Sequence, residues 1–346
     1  MKRQFAAVLA AGTMLSGALA APVEAQELPV PPELENLRSQ LPQFPDFPSP
    51  DEAFEIGKLP GTVPVQIPEP RVGKAELPNQ EVAESYVSFG DSVAANPSQL
   101  DIAATRLKGR VPGYSWPTIR DGKCAQGVGN FPSKTAVKTG LRLADYSCGG
   151  ATAYSPSDPA NPIPHNTLNA QVDSAIANGD LDGRTRLVSI SIGVNDFYQP
   201  GNGPEMGQEG RNARYDSAVG RAIDRIHAAA PNARVVMVGL PDQTDGANHT
   251  CPTNLYGVVS KWYFPFVSYY QDELRESQRR VSENHGADFL DMVAEINLAN
   301  NNNGCSTNPN RLSASIFDDA PHNFTFHLTD KGNDYYAQRL ADTYRS

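Results

Sequence analysis

An α/β architecture on a mostly parallel sheet is the fold class this chain predicts. Two observations point to it. Residues 186–192 and 234–240 are continuous β-branched apolar runs, as expected of strands covered on both faces. Stretches with helical spacing alternate with these and other short apolar runs, the order of elements that builds parallel sheets. The length, 346 residues, fits one large α/β domain or two smaller ones.

Taken in order, residues 1–25 read as a secretory signal peptide. Lys2 and Arg3 supply a positive start, and an apolar stretch follows over 5–21. Ala18-Leu19-Ala20 and Val23-Glu24-Ala25 then offer small residues for cleavage. The apolar stretch is short for a bilayer span and is interrupted by Gly12, Thr13, Ser16 and Gly17, so a cleaved signal is expected rather than an anchor. Residues 26–80 are dense in proline, which blocks helix interiors and central strands. An extended, semi-rigid segment is expected there, with one short helical piece near 32–41. A spacer from a membrane or wall and a tail lying on the domain surface both remain open.

The folded domain is expected over 81–346. Its first strand is 85–89, followed by a long irregular stretch containing Gly109, Pro112, Gly113, Trp116 and Pro117. A strand at 141–147 and a helix at 169–178 come next, then the strand at 186–192. A helix at 215–230 stops before Pro231, and the strand at 234–240 follows. A long amphipathic helix at 266–285, a strand at 287–292, a polar excursion at 300–319 and a closing helix at 330–345 complete the chain. The aromatic residues Trp262, Tyr263, Phe264, Phe266, Tyr269 and Tyr270 suit an acyl groove or a core; core packing is the expectation.

A net charge of -10 and a pI near 5.1 argue against a nucleic-acid binder, which would carry a basic patch. Four cysteines, Cys124, Cys148, Cys251 and Cys305, are an even set in an exported chain and suggest two disulfides. Three pairings are open; sequence order favours Cys124–Cys148 and Cys251–Cys305, each closing a local loop. There is no Cys-x-x-Cys, and His165, His227, His249 and His285 lack metal-ligand spacing, so no metal and no cofactor is expected. Two glycosylation-like triplets, beginning at Asn248 and Asn323, are read as chance in what looks like a bacterial export context.

Ligands of open α/β sheets bind beyond the carboxyl ends of the strands. Three strand ends here carry unusual chemistry: Gly90-Asp91-Ser92, Gly149-Gly150 and Gly193-Val194-Asn195-Asp196. A fourth element, His327-Leu328-Thr329-Asp330-Lys331-Gly332, opens the last helix. Alone, Gly-Asp-Ser is an ordinary turn sequence. With these four blocks in this order, residues 81 to the end resemble the SGNH/GDSL hydrolases, most closely the bacterial secreted lipases and esterases with disulfides.

The resemblance implies a three-layer α/β/α sandwich of flavodoxin-like form and a serine esterase or lipase acting on acyl esters of lipids or glycans. Ser92 would be the nucleophile and His327 the base. The N–H groups of Ser92 and Gly150 and the amide of Asn195 would form the oxyanion hole. Acyl transfer needs these three functions, a nucleophile, a proton acceptor and donors for the oxyanion. Asp91 and Asp196 are expected to hold their turns. The family's usual base block has an Asp three residues before the His, but that position here is Phe324. Either a backbone carbonyl, most plausibly that of Phe324, orients His327, or Asp319-x-x-His322 is the true pair; the run after His327 favours His327. Carbohydrate deacetylation, acyl transfer to a sugar, and a non-catalytic module that binds glycan or lipid in the envelope are the competing readings. A monomer, secreted or held at the cell envelope, is expected.

Overall fold

The computed structural model describes residues 83–98, 100–102, 119–120, 124–155, 167–198, 202 and 204–346. The expected signal peptide (1–25), the proline-rich segment (26–80), the stretch around 109–117 and His165 lie outside the described residues.

The first half of the domain runs β1 Ser85–Gly90, α1 Ser92–Ala95, β2 Ile119–Arg120, β3 Cys124–Ala125, α2 Phe131–Thr139, β4 Arg142–Asp145, α3 Leu168–Ala177 and β5 Thr185–Ser191. A 3-10 turn at Val194–Tyr198, α4 Gly207–Ala229 and β6 Arg234–Val238 follow. Short strands β7 His249–Thr250, β8 Thr253–Leu255, β9 Val258–Val259 and β10 Trp262–Tyr263 precede α5 Pro265–His285. The chain ends with β11 Asp288–Leu290, α6 Met292–Glu295, β12 Phe317–Asp318 and α7 Asp330–Arg345.

Five strands form one sheet in the order β11-β6-β5-β1-β4, with every neighbouring pair parallel. Strand alternation divides the core in two. Val87, Phe89, Val188, Ile190 and Met237 face α3, α4 and α5 through Leu168, Val172, Val219, Ile223, Leu274 and Val281. Tyr86, Leu187, Val236 and Val238 face α2 and α7 through Phe131, Tyr336 and Leu340. Helices therefore cover both faces, and the molecule is the three-layer α/β/α sandwich. β1 is buried at all six residues because it lies inside the sheet with neighbours on both edges.

Three sequence expectations are corrected. The irregular stretch after β1 contains α2, whose Asn130 cap accepts the Ser133 N–H and whose αL Gly140 closes the far end. α4 begins at Gly207 rather than 215, because Arg211 is buried in an ion pair with Glu273 of α5, a contact its polar first turns do not announce. The aromatic run before α5 is not core throughout: Tyr270 is buried, whereas Trp262, Tyr263 and Tyr269 are exposed.

Cys124 is bonded to Cys148 and Cys251 to Cys305. The first bridge ties β3 to the turn leaving β4. The second ties the excursion after β6 to the polar segment around 300–319.

Candidate active site

β1 delivers Ser92 to the sheet's carboxyl edge. The Asp91 side chain accepts the Val93 N–H at 2.9 Å and caps α1, so Ser92 is the first helical residue. Gly90 is required where it is: a Cβ there would lie 2.5 Å from the Ser191 carbonyl oxygen and 2.9 Å from Ala94 Cβ. Its N–H donates to Gln171 Oε1 and its carbonyl accepts from Gln171 Nε2, both at 2.9 Å. Sequence reasoning missed Gln171. The available signal was a polar side chain on the buried stripe of α3 beside Leu168, Val172 and Ala175.

His327 is 235 positions from Ser92 in sequence, and its Nε2 is 2.8 Å from Ser92 Oγ. Its Nδ1 is 2.9 Å from the Thr325 carbonyl oxygen. A carbonyl only accepts, so Nδ1 carries the ring proton, Nε2 is the acceptor, and the serine hydroxyl donates to it. The expectation that Phe324 supplies the orienting carbonyl is corrected to Thr325. Phe326 has φ 61°. That left-handed residue folds the chain sharply, so the carbonyl two positions before the histidine reaches Nδ1. The Phe324 ring instead packs edge-on against the imidazole, with centroids 4.6 Å apart. Burial lowers the His327 pKa to about 4, against the Thr325 carbonyl, which raises it, while the nearby His322 adds to the lowering.

His322 does not engage Asp319. Its Nδ1 faces the Ala320 carbonyl at 2.6 Å, while Asp319 accepts from Arg311 Nη2 at 2.6 Å. Arg311 also pairs with Asp318, and its carbonyl accepts the Thr329 hydroxyl at the cap of α7. Asp319 thus braces the base loop and is not spent on a histidine.

Gly150 lies in the turn after Cys148, closed by the Ala151 N–H donating to the Cys148 carbonyl. Its φ of +79° suits glycine. Asn195 is buried on the 3-10 turn after β5, and its Nδ2 donates to the Ala151 carbonyl at 2.7 Å. Next to it, Asp196 accepts the N–H groups of Ala153, Tyr154 and Ser155 at 2.8, 3.0 and 2.8 Å. These bonds lock the Gly150 turn to the Asn195 turn. Burial nevertheless raises the Asp196 pKa, and burial, helped by the neighbouring Asp196 charge, pushes Asp91 up to about 7. In the same turn, the Phe197 ring packs tilted against Tyr270 with centroids 4.1 Å apart, and Arg211 pairs with Glu273 at 2.6 Å out of solvent.

Ser92, Gly150, Asn195 and His327 therefore sit on four neighbouring chain ends, with the Ser92 and His327 side chains in direct contact. Residues 88–335 match the model of the GDSL-like Lipase/Acylhydrolase family. The chain belongs to that family. This GDSL hydrolase is 26% identical to "Lipase 2" of Streptomyces coelicolor over 229 residues, 60% of this chain and 68% of the relative. It is 24% identical to an "Esterase" of Streptomyces scabiei over 307 residues, 74% of this chain and 84% of the relative. Among solved structures it is similar to an extracellular lipase from Streptomyces rimosus, with 19% identity, TM-score 0.46 and coverage of 75% of this chain and 99% of that one. A phospholipase A1 from Streptomyces albidoflavus gives 18% identity, TM-score 0.46 and the same coverage. As a GDSL hydrolase the chain is a carboxylic ester hydrolase.

Proposed function

We propose that this GDSL hydrolase is an exported serine esterase or lipase that works through a Ser92–His327 dyad and an acyl-enzyme intermediate. The observation that carries the reading is the 2.8 Å approach of His327 Nε2 to Ser92 Oγ across 235 residues of sequence. Ser92 Oγ attacks the acyl carbon as its proton passes to Nε2. The oxyanion takes hydrogen bonds from the N–H groups of Ser92 and Gly150 and from the Asn195 amide. The tetrahedral species then expels the alkoxide, which receives the proton from His327. Water repeats the sequence to release the acid and restore the serine. The Thr325 carbonyl, in this reading, sets the imidazole's tautomer in place of a carboxylate. No metal enters any step, so EDTA is expected to leave turnover unchanged.

Export is supported by the positive start, apolar stretch and small residues of the first 25 positions, and by two cysteine pairs suited to an oxidising compartment. In this organisation 1–25 is the signal peptide, 26–80 a spacer and 81–346 the catalytic domain of a monomer at the envelope or outside it. The test is a chain-length series of acyl esters on wild type and Ser92→Ala, together with labelling by a serine-directed phosphonate. Ser92→Ala is expected to lose about 10³-fold or more in kcat and all labelling. Turnover retained by Ser92→Ala, with no label on Ser92 in wild type, overturns the assignment.

A further inference from the structure

β12, β8 and β9 form a small three-stranded sheet in which Phe317 pairs with Thr253, Asp318 with Asn254, and Leu255 with Val258. Because side chains alternate, Phe317, Thr253, Leu255 and Val258 share one face, and Asp318 and Asn254 the other. The second face is internal. Asn254 Nδ2 donates to the carbonyls of Gly304 and Ser306, and Asp318 pairs with the buried Arg311. The first face is bare: Val258 is 72% exposed, Phe317 62%, Leu255 40%, and Tyr256 at the hairpin tip 90%. Trp262, 56% exposed, follows three residues after β9 in the separate β10-β7 pair. Phe317 and Tyr256 alone present on the order of 300 Å² at 150–250 Å² per ring. Patches of a few hundred Å² are about the largest that a typical monomer exposes and are often functional.

The face is continuous with the catalytic machinery. Ala314 N–H donates to the His327 carbonyl at 2.8 Å and Phe326 N–H to the Ser315 carbonyl at 3.1 Å. The segment that pairs with the histidine loop bends at Ile316, where the Ser315 N–H donates to Asp318 at 2.7 Å, and enters β12 at Phe317, two residues beyond Ser315. The exposed side chains of Leu255, Tyr256, Val258 and Phe317 are uncharged. Of the cations flanking these strands in sequence, Lys261 is paired with Asp245, and Arg311 is buried with Asp318 and Asp319. With a net charge of -10, an anionic partner is repelled, and the carboxylate bordering the face, Asp319, is already paired with Arg311. Trp and Tyr combine an apolar body with a polar tip and suit a lipid–water boundary.

We propose that this face seats the enzyme on the neutral or zwitterionic surface of an aggregated ester lipid, bringing the ester to Ser92 and His327. The proposal rests on the esterase reading of that site and adds the physical form of the substrate. A second copy, or another part of this chain, is the competing occupant.

The test uses full-length Ser92→Ala protein, which does not turn over, with phosphatidylcholine vesicles. The chain has two tryptophans, so Trp116→Phe leaves Trp262 as the reporter. Vesicles are expected to shift Trp262 emission to the blue and to sediment the protein. Leu255→Ser, Val258→Ser and Phe317→Ser together are expected to weaken partitioning about tenfold or more, since apolar burial drives it. In the active enzyme the same changes are expected to lower hydrolysis of a vesicle-borne ester similarly and leave kcat/KM on a soluble short-chain ester unchanged. Val258→Asp, at a site too exposed to disturb folding, is expected to act in the same direction. Three results overturn the proposal: Trp262 emission already blue in buffer and unmoved by vesicles, a dimer that the triple variant dissolves, or vesicle hydrolysis insensitive to all these changes. Vesicle binding by the Ser92→Ala chain supports docking whatever the turnover. Wild type that binds vesicles but cleaves no soluble ester sinks the catalytic reading instead.

Discussion

His327 keeps its Nδ1 proton on a peptide carbonyl, which fixes the tautomer but favours an imidazolium less than a carboxylate would. With burial lowering its pKa to about 4, the ring stays neutral and able to accept the Ser92 proton in mildly acidic solution. Since kcat/KM reports the free enzyme, it is expected to hold from about pH 8 to below about 6 and to fall only toward about 4. An acid limb centred near the ordinary histidine value of 6.5 would contradict this. His327→Ala is expected to lose about 10³-fold or more in kcat. His322→Ala should retain most activity, as its ring is turned to the Ala320 carbonyl. Asp91 gives a separate test through stability. Its folded pKa, about 7, lies above the usual 3.8, so the native state holds the proton more tightly. That contribution is full below the usual value and is lost as pH rises through about 7, at up to about 1.4 kcal/mol per pH unit. Asp91→Asn keeps an acceptor for the Val93 N–H and cannot titrate. Its melting temperature should therefore gain on wild type between about pH 4 and 8; a constant gap would show that Asp91 does not titrate there. His327 has the opposite sign: its depressed pKa costs stability as pH falls from 6.5 toward 4. Both scans are therefore made in His327→Gln as well. At this scale the sequence named Ser92, Gly150, Asn195 and His327, because each stands in a short motif. It misplaced the orienting carbonyl by one residue, since the left-handed turn at Phe326 has no mark in residue type.

The strands and long helices were legible because burial demands a pattern: β5 and β6 need apolar side chains on both faces, and α5 needs one stripe. Helix α2 was not, because only Phe131, Pro132 and Thr135 are buried and Val137 points to solvent. β8, β9 and β12, of two or three residues each, are too short to show a period at all. The joints between elements were also invisible, and they hold the site together. Gln171 of α3 satisfies both backbone groups of Gly90 at the end of β1. Gln171→Ala leaves the buried Gly90 N–H unpaired, at about 1–3 kcal/mol, while the carbonyl keeps the Cys148 N–H. It is expected to lower the urea midpoint and kcat together, because Gly90 leads directly into Ser92. Asp196 joins the turns after β4 and β5 through three N–H groups. Asp196→Ala is expected to lower kcat by about 10²–10³ with little change in KM, as losing an oxyanion donor does. A rise in KM at constant kcat would place Asp196 with substrate binding instead.

At the scale of the whole molecule, the three-layer sandwich and its four-block edge were readable, since three of the blocks follow β1, β4 and β5, which are neighbours in the sheet. The two disulfides sit behind different halves of that edge. Cys124–Cys148 lies immediately before Gly149 and Gly150 and so braces the oxyanion turn. Cys251–Cys305 lies beside Gly304, whose N–H donates to the Ser313 hydroxyl and whose carbonyl accepts from the Ser315 hydroxyl. That segment is the one held against the His327 loop. The sequence separations of 24 and 54 residues imply about 3–4 kcal/mol of stabilisation from each bridge in the chain-entropy picture. Removing either pair should therefore lower the melting temperature comparably, and stability alone will not tell them apart. Catalysis should. Replacing Cys124 and Cys148 with Ser loosens the donors and is expected to reduce kcat at every pH, leaving the acid limb where it is. Replacing Cys251 and Cys305 with Ser loosens the segment whose backbone is bonded to the His327 loop and half-covers the imidazole's surroundings. Water then reaches His327, its pKa climbs from about 4 toward 6.5, and the acid limb of kcat/KM moves up with it. The first variant changes the height of the pH profile and the second its position. If both changed only the height, burial by the Cys251–Cys305 segment would not be what depresses His327.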